Sequence, residues 1–371
     1  MQLFRLIPQI EKYDNIDQLV EEYQFSDGDF FLVTKSVYNE AIKDKYNFKH
    51  IYFKNDYVLG EPDSDSMEQL INDFLSTKCQ RIIAIGGGAV IDMAKILTIA
   101  YEGMDLLSIF QKKVQPNRLR DLIAIPTTCG AGSEVSNISI LEMKAINSKL
   151  GLAIDEIFPT KAIIIPSLMR TIPYFNFITS SIDGLIHAIE SYLSPKSNIY
   201  TNLYQFKAIE IYLNGFISLS NDKRNMGKLL EEFLIASNFA GIAFSNTGTG
   251  AVHAISYPLS GKYHVTHGQA NALFLTSVLN KYQELGCGSK LIELQKMIGN
   301  LLLCDCDKSF AQLDRLLKRL VEMPLLRDFG MLEEEIITFS DSVIINQQRL
   351  LSNSYLPLSK EDIVNIYRQL F

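Results

Sequence analysis

The sequence predicts an α/β domain followed by an all-helical domain. In the first half of the chain, short apolar runs alternate with helical patterns, which is typical of a parallel sheet covered by helices on both faces. From about Thr171 onward the strand patterns stop and only helical patterns continue. A chain of 371 residues is also long enough for two hydrophobic cores. We therefore predict a nucleotide-binding α/β domain over residues 1–168 and an all-helical domain over residues 169–371.

Apolar runs and helical patterns predict the individual elements of both domains. The predicted strands are Asp29–Thr34, His50–Phe53, Arg81–Ile85, Asp121–Ile125 and Ala162–Ile165, with helical patterns at Ser64–Leu75 and Val90–Tyr101. Helical patterns in the second domain begin near Ser181, Thr201, Lys228, His267, Leu291, Ser309, Glu333 and Lys360. Ser359 to Asp362 has the form of a capping box that opens the last helix.

Composition and charge favour a soluble protein that acts on a small molecule. Apolar residues make up 47% of the chain and charged residues 21%, as in ordinary globular proteins. The net charge of −7 argues against nucleic acid or an anionic membrane as the main partner. We expect no signal peptide, and no apolar run reaches the roughly 18 residues of a membrane span. Five cysteines without paired spacing fit the reducing cytoplasm.

A glycine-rich turn follows one of the predicted strands. Gly86, Gly87 and Gly88 stand between a strand and a helical pattern, where glycine allows a tight turn and lets ligand oxygens approach the backbone. The N-terminus of the following helix favours a pyrophosphate. The spacing differs from the G-x-G-x-x-G fingerprint of a conventional Rossmann site, and an ordinary βα turn is the alternative interpretation.

The next predicted strand ends in a second polar turn, over residues 126–135. It offers the hydroxyl groups of Thr127 and Thr128, and Ser133 is expected to act as an N-cap. Turns on successive parallel strands lie at the same edge of a sheet. Together the two turns predict that one dinucleotide spans both.

Two short segments carry residues with metal-ligand chemistry. Asp183 and His187 are four residues apart in a helical pattern, so their side chains lie on one face of a helix. Three of the five histidines in the chain, His253, His264 and His267, fall in one later segment. Imidazole with carboxylate suits divalent iron or zinc. A surface Asp–His pair and hydrogen-bonded core histidines are the alternative interpretation.

With these motifs the chain resembles the iron-containing (group III) alcohol dehydrogenases over essentially its whole length. The matching motifs are Gly86-Gly87-Gly88 with Asp92 and Lys95, Pro126-Thr127-Thr128 with Gly130 and Gly132-Ser133-Glu134, Asp183 with His187, and Val252-His253 with His267-Gly268. Within the family, the resemblance is stronger to members that interconvert 4-hydroxybutyrate and succinate semialdehyde. It rests there on Gly60-Glu61-Pro62, residues 82–88, Gly241-Ile242-Ala243-Phe244, Ser256-Tyr257-Pro258, Tyr263-His264-Val265 and residues 347–351.

The resemblance implies a dehydroquinate synthase-like fold, with the cofactor held by the first domain, the metal by the second, and the reaction in the cleft between them. The implied metal ligands are Asp183, His187, His253 and His267. The implied cofactor-binding residues are Gly86, Gly87, Gly88, Asp92, Thr127, Thr128, Ser133 and Lys149. The implied cofactors are Fe²⁺, with Zn²⁺ as the alternative, and NAD, with NADP as the alternative.

The chain also departs from the family pattern at several positions. Tyr257 replaces a histidine that handles substrate or protons in many members, so Tyr257 or nearby His264 is the candidate for proton transfer. Lys35 stands where NAD-specific members carry an aspartate, which leaves NADP open as the cofactor. Gly184 replaces a more usual alanine between the first two ligands, which suggests a close approach to the helix backbone or plain packing. Arg349 is the candidate partner for a substrate carboxylate, with a solvated arginine on a helix as the alternative.

Four classes of function are compatible with these residues. The first is a metal-dependent oxidoreductase for 4-hydroxybutyrate or another small alcohol, which the resemblance implies. The second is a lyase that resembles dehydroquinate synthase, although few cationic residues surround the implied ligands. The third is a metallohydrolase without a nicotinamide cofactor, and the fourth is a non-catalytic binding protein. We expect a cytoplasmic homo-oligomer that binds a short hydroxy acid or semialdehyde and neither nucleic acid nor a membrane.

Overall fold

The computed structural model describes residues 2–146 and 148–371, which form two compact units. The α/β unit comprises Leu6–Thr171, and the helical unit comprises Ile172–Phe371 together with the N-terminal residues through Arg5. These N-terminal residues join the helices because the Arg5 amide donates to Asn246 Oδ1 at 2.7 Å and Phe4 stacks on Tyr204. The domain boundary between residues 168 and 169 stays a prediction.

A six-stranded parallel sheet forms the centre of the α/β unit. The strands of this sheet are β1 (Gln9–Lys12), β2 (Asp29–Val33), β3 (His50–Phe53), β4 (Arg81–Gly86), β5 (Asp121–Pro126) and β8 (Lys161–Ile164). They lie in the order β1-β8-β5-β4-β2-β3, and all their pairings are parallel. The predicted parallel sheet is therefore confirmed. Strand β1 was not predicted, because its residues are mostly exposed and it lacks a continuous apolar run.

The central strands are apolar along their whole length because the sheet is buried on both faces. On β2, Phe30 and Leu32 pack into the hydrophobic cluster on one face, whereas Phe31 and Val33 pack into the cluster on the other. The helices of this unit are α1 (Ile16–Tyr23), α2 (Lys35–Val37), α3 (Lys54–Tyr57), α4 (Ser64–Thr77), α5 (Gly88–Leu97) and α6 (Leu106–Phe110). Helix α5 begins two residues earlier than predicted because Gly87 is its N-cap, and it ends at Leu97, four residues before the predicted end.

A two-stranded antiparallel hairpin lies outside the main sheet. It consists of β6 (Ile138–Met143) and β7 (Ser148–Ala153), with Glu142 opposite Lys149. Leu141 and Met143 of β6 are buried and join the core beside α5. The hairpin was not predicted because Ser139 and Glu142 interrupt the apolar residues of β6, so the strand has no continuous apolar run.

The helical unit is built around α7 (Tyr174–Leu193), in which every residue from Ser181 to Leu193 is buried. A helix buried on all sides is a central helix, in contrast to one with a single apolar stripe. The other helices are α8 (Ile199–Asn221), α9 (Met226–Thr247), α10 (Ala251–Tyr263), α11 (His267–Leu285), α12 (Ser289–Leu302), α13 (Ser309–Leu320), α14 (Glu335–Asn346), α15 (Gln348–Leu351) and α16 (Lys360–Leu370). The predicted capping box at Ser359 is confirmed. Among the helices of the described ranges, none has the length and apolarity that a membrane span requires.

Candidate metal centre and cofactor-binding turns

Helix α7 supplies three buried side chains to one site. Asp183, His187 and Glu190 are spaced i, i+4 and i+7, so they lie on the same face of the helix. The face turns toward His253 on α10 and toward His267, the first residue of α11. Asp183, His187 and His253 are buried, whereas the His267 side chain is 35% exposed.

The geometry of these four side chains fits one metal ion. Their ligand atoms all lie within 4.8 Å of one another. The Nε2 atoms of His187 and His253 are 3.0 Å apart, and Asp183 Oδ1 is 3.6 Å from His253 Nε2 and 3.8 Å from His267 Nε2. Ligand atoms held at about 2.1 Å by one ion are separated by roughly 3–4.2 Å. These three separations fall within that range, as expected for donor atoms that face one ion.

Polar residues around the cluster orient its members. Asn271 Nδ2 donates to Asp183 Oδ1 at 2.7 Å and lies 3.2 Å from His267 Nε2, and Ser256 Oγ donates to Asn271 Oδ1 at 2.5 Å. Asn271 and Glu190 were not predicted as site residues. Helical spacing was the available signal, because Asn271 follows His267 by one turn and Glu190 follows His187 by one turn.

The charge state of the cluster also suits a cation. Burial alone would raise the pKa of the Asp183 carboxyl, but the imidazoles of His187, His267 and His253 and the amide of Asn271 together lower it to about 2. Burial, reinforced by His187, holds the pKa of the His253 imidazole well below its ordinary value. At neutral pH the site therefore contains a carboxylate and a neutral imidazole, which are the forms that bind metals.

The other predicted site residues of the helical unit differ in their distance from this cluster. Tyr257 lies one turn after His253 on α10, and its ring centroid is 6.0 Å from that of His267. His264 is the exposed C-cap of α10, with a left-handed φ of 53°. Arg349 is an exposed residue of α15, and its positive charge contributes to lowering the pKa of His253. Tyr257 is thus close to the cluster.

In the α/β unit, the predicted cofactor-binding turns lie at the carboxyl ends of three neighbouring strands. The order of the strands reverses between β2 and β4, since β3 lies on one side of β2 and β4 on the other. Such a switch point is where open α/β sheets bind nucleotides. The Thr34 amide donates to Ile85 O at 2.9 Å, and the Thr127 amide donates to Gly86 O at 3.0 Å. Hydrogen bonds therefore hold the three turns side by side.

The three consecutive glycines are explained by close approach between these turns. A Cβ atom on Gly86 would lie 2.6 Å from Thr34 Oγ1, and one on Gly88 would lie 2.7 Å from the Cβ of Ala131. At Gly87 a Cβ would lie 3.2 Å from Thr128 Cγ2. Gly87 and Gly88 are half-buried, so the glycine turn leaves backbone open to a ligand.

Asp92 and Ser133 belong to a buried network centred on Lys95. The Lys95 ammonium donates to Ser133 Oγ at 2.6 Å, to Ser136 Oγ at 3.0 Å and to Ile138 O at 2.7 Å. Ser133 Oγ in turn donates to Asp92, which also accepts from the Ile140 amide at 3.1 Å. The network fastens the second polar turn and the hairpin to α5.

The prediction that Ser133 is an N-cap is wrong. Ser133 is the first residue of a short 3₁₀ helix, Ser133–Val135, whose N-cap is Gly132 with a left-handed φ of 56°. Its hydroxyl is occupied by Lys95 and Asp92, which the sequence spacing did not reveal.

Replacing Lys95 with methionine is expected to remove a pH-dependent component of stability. Burial lowers the pKa of the Lys95 amine to about 8, so the unfolded chain holds this proton to a higher pH than the folded chain. Between about pH 8 and pH 10.5 the wild-type free energy of unfolding should therefore rise, by up to roughly 3 kcal/mol, and the Lys95→Met variant should lack this rise. Urea unfolding across this range measures the difference.

Lys43→Met, at an exposed lysine of the same unit, is the matched control and should keep the wild-type slope. If Lys95→Met follows the wild-type pH profile, the Lys95 proton is not the origin of the rise.

The two predicted lysines of the cofactor site already have partners in the α/β unit. Lys149, on β7, forms an ion pair with Glu61. Lys35 is exposed at the start of α2, directly after the end of β2, and its Nζ lies 5.7 Å from the ring centroid of Phe53. Lys35 is therefore next to the switch point, where a ribose 2′-substituent binds in dinucleotide-binding folds.

Both halves of the sequence match models of one known protein family. Residues 9–166 match the profile described as iron-containing alcohol dehydrogenase, and residues 177–371 match the profile of the C-terminal part of the Fe-containing alcohol dehydrogenase family. The chain belongs to the iron-containing alcohol dehydrogenase family. It is thus an oxidoreductase of this family that acts on a small molecule.

Two curated relatives show how far the similarity within the iron-containing alcohol dehydrogenases extends. The chain is 43% identical over 374 residues to the 4-hydroxybutyrate dehydrogenase of Clostridium kluyveri, with 100% of both chains covered. It is 28% identical to long-chain-alcohol dehydrogenase 1 of Geobacillus thermodenitrificans, over 87% of this chain and 82% of the relative.

Solved structures have the same fold. A 1,3-propanediol oxidoreductase superposes with a TM-score of 0.86 at 23% identity, with 100% of both chains covered. The sulfoacetaldehyde reductase of Bifidobacterium kashiwanohense, solved in complex with NAD⁺, also gives a TM-score of 0.86, at 20% identity and with 100% of this chain and 99% of that chain covered. The predicted fold class is therefore confirmed by its structural neighbours.

Proposed function

We propose that this enzyme interconverts 4-hydroxybutyrate and succinate semialdehyde by hydride transfer with a nicotinamide cofactor. The observation that carries the choice of substrate is the similarity to the Clostridium kluyveri enzyme over the full length of both chains. In the oxidative direction, the carbinol carbon loses a hydride to the oxidised cofactor and the hydroxyl loses a proton. The products are the semialdehyde, the reduced cofactor and one proton.

Asp183, His187, His253 and His267 are assigned as ligands of Fe²⁺, and Zn²⁺ is the alternative because the same donors accept it. A divalent ion supplies Lewis-acid polarisation of the substrate oxygen, and the nicotinamide supplies the hydride acceptor. The partial exposure of the His267 side chain, 35%, supports substrate access beside that ligand.

Tyr257 is the stronger candidate for proton transfer, because its ring lies beside His267 whereas His264 is exposed at the end of α10. Arg349 is assigned to the substrate carboxylate. Its charge acts on His253, and a guanidinium binds a carboxylate through two parallel hydrogen bonds.

Cofactor binding is assigned to Gly86, Gly87, Gly88, Thr127, Thr128 and Lys149 at the switch point, with Asp92 and Ser133 holding the second turn in place. NAD is the proposed cofactor. Lys35 at the end of β2 would also accommodate the 2′-phosphate of NADP, so both cofactors belong in the assay.

One assay tests the substrate, the cofactor and the metal together. Metal-free protein is loaded with Fe²⁺ or Zn²⁺ and supplied with NAD or NADP and either 4-hydroxybutyrate or the neutral 1,4-butanediol. We expect Fe²⁺ to restore activity with NAD and kcat/KM to favour the acid. Arg349→Met should raise KM for the acid roughly tenfold, as expected for a lost charge-assisted hydrogen bond, and leave KM for the diol unchanged.

A higher kcat/KM for the diol in the wild type would instead indicate an alcohol dehydrogenase for neutral substrates. Equal effects of Arg349→Met on acid and diol would remove Arg349 from the carboxylate site.

We further propose that the enzyme is a cytoplasmic homo-oligomer. Within the described part of the chain, each of the five cysteines is a thiol and none is in a disulfide, as expected in a reducing compartment. Large apolar side chains at Ile199 and Leu203 of α8 are 75% and 69% exposed, which supports association between copies. Sedimentation of the purified protein tests the oligomeric state.

A further inference from the structure

We propose that Glu190 is a positioning residue of the metal site, whose carboxylate fixes the ring orientation and the tautomer of His253. The inference rests on the metal site proposed above. Glu190 itself lies outside the four-ligand cluster.

The Glu190 carboxylate accepts from two backbone N–H groups and contacts one ring nitrogen of His253. Oε2 accepts from the Gly250 amide at 3.0 Å and lies 2.6 Å from His253 Nδ1, and Oε1 accepts from the Val252 amide at 2.6 Å. The carboxylate therefore favours the His253 tautomer that carries its proton on Nδ1.

The other ring nitrogen of His253 then faces the metal position with a free lone pair. His253 Nε2 lies 3.0 Å from His187 Nε2 and 3.6 Å from Asp183 Oδ1, in a buried environment. The opposite tautomer would place a hydrogen atom on Nε2, where a ligand needs its lone pair. Metal-bound histidines commonly donate their second N–H to a carboxylate for this reason.

The same carboxylate also fixes the position of α10. Gly250, the N-cap of α10, has no side chain to accept from the first amides of the helix. Glu190 provides these acceptors from α7, and a Cβ atom on Gly250 would lie 3.3 Å from Glu190 Oε1. One carboxylate thus connects the helix of Asp183 and His187 to the helix of His253.

Glu190→Gln tests this role with almost no change in shape. An amide has one acceptor oxygen and one NH₂ group, whereas both positions of the carboxylate face N–H donors. In the variant the NH₂ group must therefore face one of these N–H donors, which then lacks an acceptor. The negative charge that raises the basicity of His253 is also lost. We expect a 10- to 100-fold weaker affinity for a divalent metal, as is typical when such a partner is lost.

The experiment measures Co²⁺ binding to metal-free protein by its visible absorption. Glu335→Gln is the matched control, since Glu335 is a buried carboxylate of the same unit that accepts from the Leu332 amide and from Lys262. This control should lose thermal stability but keep the wild-type Co²⁺ affinity and spectrum. Glu190→Gln should lose affinity and shift the Co²⁺ bands.

Nitrogen-15 spectra of histidine-labelled, metal-free protein read the tautomer directly. With five histidines in the chain, the His253 signals are assigned by their loss in His253→Gln. The wild type should show His253 protonated on Nδ1, and Glu190→Gln should show a population protonated on Nε2. A structural role alone would leave this pattern unchanged.

Two failures are distinguishable. If the wild type binds no stoichiometric Co²⁺, the proposed metal site is wrong. If the wild type binds Co²⁺ and Glu190→Gln matches it in affinity and ring-nitrogen pattern, only the role of Glu190 is wrong. Should Glu190→Gln fail to fold, Glu190→Asp retracts the carboxylate by one methylene, and the same two criteria apply to it.

Discussion

Asp183→Ala is expected to abolish stoichiometric metal binding and to lower kcat/KM by roughly three orders of magnitude, which corresponds to about 4 kcal/mol of lost transition-state stabilisation. Asp183 is the only carboxylate of the four-ligand cluster, and its pKa of about 2 keeps it anionic at neutral pH. Its removal leaves three imidazoles and no anionic ligand for the cation. Metal content after dialysis and steady-state kinetics measure the two effects.

Asp29→Asn is the control for the loss of a buried charge. Asp29 is 2% exposed and pairs with Arg81 through contacts of 2.6 and 2.8 Å in the α/β unit. This variant should lose stability, because Arg81 loses its ion pair, but keep its metal. If Asp183→Ala retains a full equivalent of metal and wild-type turnover, the assignment of the metal centre is wrong.

Gly184→Ala is expected to destabilise the helical unit by roughly 2 kcal/mol, which is typical of overpacking a core. A Cβ atom there would lie 2.6 Å from Cζ of Tyr212 and closer still to its hydroxyl oxygen. Tyr212 is fully buried, with Phe216 and Phe233 at ring-centroid distances of 6.0 and 5.3 Å, so its ring has no free direction to move. Because Gly184 follows Asp183 directly, metal affinity should fall as well. Urea unfolding and metal titration measure the two effects.

Gly227→Ala is the matched control for this substitution. Gly227 is also helical, but a Cβ atom there would meet nothing within 4 Å, so alanine should be neutral or stabilise by up to about 1 kcal/mol. Adding Tyr212→Phe to Gly184→Ala removes the nearest atom and should recover part of the stability. If Gly184→Ala changes the free energy of unfolding no more than Gly227→Ala does, Tyr212 does not restrict the side chain at position 184.

The structure around Gly184 combines the two interpretations left open by the sequence, a close approach to the helix backbone and plain packing. The close approach is real, but the approaching group is the ring of Tyr212 from α8. Sequence spacing could not identify it, since Tyr212 belongs to a separate helix and only packing brings it to α7.

Local spacing predicted the parts of the site that lie within one element. Asp183 and His187 share a helix face because of the helical repeat, and the glycine turn follows a strand that is apolar throughout. Helix α10, which carries His253, was not predicted as a helix. Its sequence contains Pro258 and Gly261, which weaken the helical pattern, and tertiary packing overrides them.

The sequence by itself determined the fold class, five of the six strands of the central sheet and the residue types that a metal and a dinucleotide require, because these follow from apolar runs and from fixed helix and strand periods. Only the tertiary structure decided that Glu190 lies against His253 and Asn271 against Asp183, that Lys95 occupies the Ser133 hydroxyl, and that the ring of Tyr257 lies beside that of His267. These relations join residues from separate elements, and their distances depend on how side chains pack across the core, which no local period encodes.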